Sequence, residues 1–93
     1  MSDHKQARKY VVRGRVQGVG FRYFVLQAAH SIGVRGYVRN LDDGNVEVYA
    51  IGSKDQLSHL AGFLWKGPRY ADVRGVEEID APVEKCAGFD VRH

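Results

Sequence analysis

The order of apolar and polar residues predicts strands and helices in alternation. Residues 7–16 mix β-branched and aromatic residues with basic ones, which is typical of a strand. Apolar residues then recur at the spacing of one helix face: Phe21, Phe24, Val25, Ala28 and Ile32. Gly33 follows, where a glycine commonly ends a helix. The first third of the chain therefore predicts a strand, a glycine-containing loop and an amphipathic helix.

The next segment predicts a β-hairpin. Strand candidates at 34–40 and 46–51 flank the sequence LDDGN, whose Asp-Gly pair is a turn signal. The second candidate alternates, so Val46, Val48 and Ala50 should share one face of the sheet. Glu47, Tyr49 and Ile51 should then share the other face.

A second helix follows the hairpin. Ser53 and Gln56 have the spacing of a capping box, which marks a helix N-terminus. The helical stripe continues with four apolar residues, Leu57, Leu60, Ala61 and Leu64. We expect the helix to end at residues 66–68, Lys-Gly-Pro, because proline disfavours helical geometry in the residue before it.

Two further strands complete the pattern and define the fold class. Residues 73–79 predict an irregular strand with a bulge at Gly75, and Phe89 and Val91 predict a short final segment. The resulting order β-α-β-β-α-β is that of the split βαβ unit. We therefore predict an α+β, ferredoxin-like sandwich in which an antiparallel sheet carries both helices on one face.

This topology brings the glycine loop close to the end of the second strand. Two strands joined by a helical crossover run parallel, and a right-handed crossover leaves their carboxyl ends at one edge of the sheet. Residues 15–21 and Asn40 should therefore meet there. Open α/β sheets bind ligands beyond the carboxyl ends of their strands, so this edge is the expected site.

Length and charge restrict the class of protein. The 93 residues suit one domain, 1–93, in which we expect residues 1–6 to form a flexible N-terminal tail. Residues 1–39 hold eight Lys and Arg but one acid, Asp3, so this part would attract an anion, although solvated strand faces account for most of these cations. No segment has the pattern of a membrane span or signal peptide, and Cys86 is the only cysteine. We expect a cytoplasmic monomer.

The loop between the first strand and the first helix has the features of an anion site. Gly18 and Gly20 can adopt positive φ, and successive amides at a helix N-terminus form a cradle for anions. Arg22 adds a planar fork that suits phosphate oxygens. The P-loop and the dinucleotide fingerprint are excluded, because the first lacks its lysine and the second has Tyr23 in place of its third glycine. A plain glycine-rich connection with a surface arginine is the alternative.

Only Asn40 stands out as a second chemical group near this loop. Its amide can accept a hydrogen bond from water and donate another without repelling a phosphate, although a strand-end turn residue is the alternative. The histidines at 4, 30, 59 and 93 follow no metal-ligand spacing and are interpreted as surface groups. Cys86 has no basic neighbour except Lys85, so we assign it a structural or incidental role.

RNA binding is a minority hypothesis, because ferredoxin-like domains often bind RNA. Residues 35–37 begin like the RNP1 motif, but the following positions depart from it. Tyr10, Tyr37 and Tyr49 could still form a stacking surface for bases.

Two segments of the sequence resemble the acylphosphatase family. GRVQGVGFR at 14–22 and GYVRNLDDGNVEVYAIG at 36–52 carry the family's diagnostic glycines, its Val-Gln-Gly-Val-Gly-Phe-Arg core and the Asn with a downstream Gly-x-Val. Length and element order agree over essentially the whole chain. The resemblance implies hydrolysis of a carboxyl-phosphate anhydride to a carboxylate and inorganic phosphate, with no metal and no other cofactor.

The resemblance also implies roles for single residues. Arg22 would bind the phosphate and Asn40 would orient the attacking water. The amides of five loop residues would assist Arg22: Gln17, Gly18, Val19, Gly20 and Phe21. The implied partners are a small acyl phosphate as substrate and inorganic phosphate as product and inhibitor, with no nucleic acid and no membrane. The competing classes are an anion- or nucleic-acid-binding module without activity, and an interaction domain that uses the sheet face.

Overall fold

The computed structural model describes residues 4–93, along which strands and helices alternate as the sequence predicts. The elements are β1 (Gln6–Arg15), α1 (Phe21–Ile32), β2 (Arg35–Asn40), β3 (Val46–Gly52), α2 (Lys54–Lys66), β4 (Asp72–Ala81) and β5 (Phe89–Arg92). The predicted N-terminal tail, residues 1–6, lies partly outside the described residues. Gln6, which the prediction placed in the tail, belongs to β1.

The five strands form one sheet in the order β4-β1-β3-β2-β5. The pairs β1–β3, β1–β4 and β2–β3 are antiparallel, but β5 lies parallel to β2, with Gly36 opposite Phe89. The sheet is therefore mixed, which corrects the antiparallel prediction at this one edge. The reason is the path of residues 82–88, which cross from β4 to the far side of β2 at the end of the sheet where β2 begins.

Both helices cover the same face of the sheet, as predicted. Their buried residues, which include Val25 of α1 and Leu60 of α2, pack in one core with alternate strand residues such as Val48. At the centre of this core the Tyr10 hydroxyl donates to the Leu57 carbonyl at 3.1 Å. Burial of this phenol, with Glu78 adding to the effect, raises the pKa of Tyr10 to about 12.

A smaller cluster covers part of the opposite face, which the sequence pattern did not indicate. The rings of Tyr37 and Tyr49 stack at 5.4 Å, and Ala7 and Ile51 are buried beside them. The Tyr49 hydroxyl donates to the Pro82 carbonyl and accepts from the Glu84 amide, each at 2.7 Å. Strand β3 is consequently buried on both faces.

The helix ends have the caps that the sequence predicts. Ser53 and Gln56 form a reciprocal capping box at the start of α2, with contacts of 2.8 and 3.2 Å. Gln56 also donates to the Ile32 carbonyl at 3.1 Å, which joins the start of α2 to the end of α1. Gly33 ends α1 in the left-handed conformation, with φ of 93°, and Gly67 ends α2.

The predicted bulge in β4 is present next to Gly75. Arg13 pairs with Gly75 but Gly14 pairs with Val73, so Arg74 is the extra residue. A Cβ on Gly14 would overlap the Asp72 carbonyl of the same irregular pair. The first glycine of GRVQGVGFR is therefore required by the packing of two strands and not by a ligand.

Candidate anion-binding site

The loop from Val16 to Gly20 joins β1 to α1 and owes its path to two glycines. The φ angles of 75° at Gly18 and 79° at Gly20 lie in the left-handed region that strains other residues. A Cβ built on either glycine would meet nothing within 4 Å apart from its chain neighbours. Backbone conformation rather than crowding therefore requires glycine here, and the surface beside the loop is accessible to a ligand.

Helix α1 begins without a side-chain cap. Gly20 is its N-cap residue, no side chain bonds to its first amides, and its first turn holds no acidic residue. The first intrahelical bond at this end joins the Phe24 amide to the Gly20 carbonyl at 3.0 Å. The amides before Phe24 therefore keep their donors, and the positive end of the helix dipole is uncompensated, which suits an anion.

A cavity of about 300 Å³ lies at this helix end. Its walls come from the loop, the first turn of α1, the end of β2 and the end of β5, and none of its lining residues is acidic. They are Val16, Gly18, Gly20, Phe21, Arg22, Tyr23, Asn40, Val91 and His93. The loop and Asn40 thus meet at the carboxyl edge of the sheet, as the crossover predicts.

Arg22 is held by a backbone carbonyl and a histidine ring. Its Nη1 donates to the Arg92 carbonyl at 3.3 Å and lies 3.1 Å from His93 Nδ1, which must accept because a guanidinium only donates. Both contacts use Nη1, so the edge formed by Nε and Nη2 keeps its donors. Within residues 4–93 no carboxylate forms an ion pair with Arg22. Its positive charge therefore remains uncompensated beside the cavity.

Gln17 fastens the loop to the hairpin turn that follows Asn40. Its Nε2 donates to the carbonyls of Leu41 and Asn45, both at 2.8 Å. The side chain of Gln17 therefore does not line the cavity, and only its backbone amide could serve a ligand. The side chain of Val19 does not line the cavity either, since it packs against the main core, so Val19 could likewise serve a ligand only through its backbone amide. The other four of the six predicted phosphate-binding residues line it.

The sequence did not indicate three of the lining residues: Tyr23, Val91 and His93. His93 was interpreted as a surface group, and it is exposed, yet its ring contacts Arg22. The parallel pairing of β5 with β2 brings Val91 and His93 to the edge that holds Asn40. No local signal in the last residues predicts that pairing, because the crossing segment of residues 82–88 decides it.

The remaining sequence predictions have structural outcomes as well. Tyr10, Tyr37 and Tyr49 are all buried, and they lie on two different faces of the sheet, so the predicted stacking surface for bases is wrong. Cys86 is half-buried against the smaller cluster. Across residues 4–93, no three His, Cys, Asp or Glu side chains are grouped as metal ligands. Neither helix in this part of the chain is long and apolar enough to span a membrane.

The fold and the cavity together indicate a ferredoxin-like domain that is suited to a small anionic ligand. Comparison with known proteins identifies the family within this class. The acylphosphatase family model matches residues 8–91. The chain is 55% identical, over 87 residues, to the acylphosphatase of Solibacter usitatus (strain Ellin6076). The aligned residues make up 94% of this chain and 91% of that protein.

Solved structures agree. The acylphosphatase from Bacillus subtilis superposes with a TM-score of 0.92 at 32% identity, over 97% of this chain and 100% of that one. The acylphosphatase from Coxiella burnetii superposes with a TM-score of 0.90 at 38% identity, over 95% and 93% of the two chains. The chain belongs to the acylphosphatase family, and it is an enzyme of that type.

Proposed function

We propose that the protein hydrolyses acyl phosphates in the cavity at the N-terminus of α1. The observation that carries this proposal is the meeting of Arg22, Asn40 and the uncapped helix end around one cavity without an acidic residue. In the reaction, a water oxygen bonds to phosphorus while the bond from phosphorus to the acyl oxygen breaks. An acyl phosphate dianion and water thereby give a carboxylate, hydrogen phosphate and a proton.

The phosphoryl group binds to the backbone amides of residues 17–21 and to Arg22. The left-handed glycines and the uncapped start of α1 support this assignment, since they leave amide donors without a side-chain partner. Arg22 offers the edge formed by Nε and Nη2, because its contacts with Arg92 and His93 use Nη1 alone. That edge has the two parallel donors with which arginine binds two oxygens at once. These groups stabilise the charge on the phosphoryl oxygens as it shifts in the transition state.

Asn40 positions the attacking water. Its amide oxygen accepts a hydrogen bond from the water, and its NH₂ group donates to a neighbouring oxygen. A strong base is not needed, because phosphoryl transfer through a loose transition state demands little of the nucleophile. The carboxylate leaves without a general acid, since its conjugate acid has a pKa of about 4. A phosphoryl oxygen of the substrate takes the proton from the water.

The test is hydrolysis of acetyl phosphate in the presence of a metal chelator. Arg22→Ala and Asn40→Ala should each lower kcat by about a hundredfold or more, the size expected when one preorganised contact to the transition state is lost. Arg22→Ala should also weaken inhibition by inorganic phosphate, whereas Asn40→Ala should preserve it. The difference arises because Arg22 contacts the phosphate and Asn40 contacts the water.

Matched controls separate these effects from general damage. Arg69→Ala removes the same side chain as Arg22→Ala, and Gln27→Ala removes an amide side chain as Asn40→Ala does, and neither Arg69 nor Gln27 lines the cavity. Both should keep the parent's kcat. Full activity of either site variant would remove that residue from the mechanism. If the parent fails to hydrolyse acetyl phosphate but binds single-stranded RNA tightly, the binding-module alternative gains support instead.

A further inference from the structure

The cavity is larger than phosphate binding requires. At about 30 Å³ for each oxygen-sized group, a phosphoryl group with its four oxygens fills roughly 120 Å³. The attacking water adds about 30 Å³ more, which leaves close to half of the volume of about 300 Å³ for other groups. In an acyl phosphate, the acyl group is the part of the substrate that can occupy this remainder.

One wall of the cavity is aromatic. Tyr23 directly follows Arg22 in the first turn of α1, and its side chain is 66% exposed. The exposed large apolar residues of the described chain are Tyr23, Trp65, Tyr70, Ile79 and Val83. Of these five, Tyr23 alone lines the cavity. A second apolar wall comes from Val91, a half-buried residue of β5.

Apolar and polar groups of the cavity therefore come from different residues. Arg22 and Asn40 supply charge and hydrogen bonds, and no acidic side chain lines either part. The ring of Tyr23 is large, rigid and accessible, so it can cover a flat apolar group at low cost in side-chain entropy. The phosphoryl group and the acyl group are joined by one oxygen, so a single substrate can contact both Arg22 and Tyr23, which line the same cavity.

We propose that Tyr23 and Val91 form an acyl subsite that makes the enzyme prefer acyl phosphates with an uncharged aromatic acyl group. This inference rests on the proposed function. The acyl group keeps its contacts while the bond to phosphorus breaks, so the subsite stabilises substrate and transition state alike. Contacts of that kind lower KM and leave kcat unchanged. Stacking of a benzoyl ring on Tyr23 should lower KM by roughly three- to tenfold relative to acetyl phosphate.

The experiment compares benzoyl phosphate with acetyl phosphate in the parent and in three variants. In Tyr23→Ala, the ratio of the two kcat/KM values should fall by roughly three- to tenfold, through the KM for benzoyl phosphate. Tyr23→Phe keeps the ring and should keep the ratio. Tyr70→Ala is the matched control, because Tyr70 is 70% exposed but does not line the cavity. This variant should keep the parent's kcat/KM for both substrates.

A binding measurement gives a readout that does not depend on turnover. Phenyl phosphate should inhibit the parent more strongly than inorganic phosphate does, and Tyr23→Ala should lose this advantage while still binding inorganic phosphate. An unchanged ratio in Tyr23→Ala, or an equal fall in Tyr70→Ala, overturns the subsite and leaves the proposed function standing. Hydrolysis of neither substrate by the parent overturns both.

Discussion

Replacement of Gln17 by glutamate tests whether the loop must be fastened to the hairpin turn. The substitution exchanges the Nε2 group, which donates to the carbonyls of Leu41 and Asn45 at 2.8 Å, for an oxygen that cannot donate. Each lost bond costs about 1 kcal/mol. Neither carbonyl is left without a partner, because the Gly44 amide bonds to Leu41 and the Leu41 amide bonds to Asn45. We therefore expect a total loss of about 2 kcal/mol.

The same substitution should damage catalysis. Gln17 links the loop before Arg22 to the turn after Asn40, so its loss loosens the spacing of the two groups assigned to binding and to water positioning. Misplacement by about 1 Å can cost about a hundredfold in rate, and we expect kcat/KM for acetyl phosphate to fall by ten- to a hundredfold. Gln17→Ala breaks the same bonds without adding a charge, so it separates loosening from repulsion of the anionic substrate.

The assays are urea unfolding followed by circular dichroism and steady-state hydrolysis of acetyl phosphate. Gln27→Glu is the matched control, because it makes the same chemical change at an exposed position of α1. If Gln17→Glu is as stable as Gln27→Glu, the two contacts do not contribute to folding. If it is destabilised but hydrolyses acetyl phosphate at the parent's rate, the link between Arg22 and Asn40 has no catalytic importance.

Two further predictions concern the loop and the core. Gly20→Ala and Gly44→Ala should each lower the free energy of unfolding by about 1–2 kcal/mol, since both residues have positive φ and open surroundings. Only Gly20→Ala should also weaken inhibition by inorganic phosphate. Equal weakening in both variants would contradict the assignment of the loop amides to phosphate binding. The pKa of Tyr10, raised to about 12, means that the folded protein keeps a proton that the unfolded chain releases from pH 10 upward. Stability should therefore fall by about 2–3 kcal/mol between pH 10 and 12. At pH 7, Tyr10→Phe should be less stable by about 1 kcal/mol, because it loses the hydrogen bond to Leu57. Urea unfolding at several pH values should show that its stability falls less steeply between pH 10 and 12 than the parent's. A fall as steep as the parent's would refute this reasoning.

The sequence predicted the elements because their signals are local. The apolar stripe of α1, the capping box at Ser53 and the turn at residues 41–45 each lie within a few residues of the structure they specify. The topology followed from their order and from the handedness of crossovers. The edge strand β5 did not follow, since its direction depends on contacts of residues 82–88 with Tyr49 and with the start of β2.

In the candidate site, too, the features encoded by neighbouring residues were predicted and the contacts between distant residues were not. Gly18, Gly20 and Arg22 stand next to each other in the chain, so their shared chemistry was visible, and Asn40 joined them through the crossover. The side-chain contacts of Gln17 span 24 and 28 residues, and the contact of His93 with Arg22 spans 71. Such contacts depend on where whole elements pack, which spacing along a chain does not specify.

The two helices differ at their first turns, and the difference relates folding to substrate supply. In helix α2 the Ser53 hydroxyl accepts a hydrogen bond from the Gln56 amide, whereas in α1, which begins after Gly20, no side chain caps the first amides. A glycine at this position costs only a few tenths of a kcal/mol relative to a serine cap. An anion bound at that end would act as the cap that the chain itself does not supply. The enzyme would then hold its first helix most firmly when substrate or product is abundant, so its resistance to unfolding and proteolysis would follow the concentration of its own metabolites.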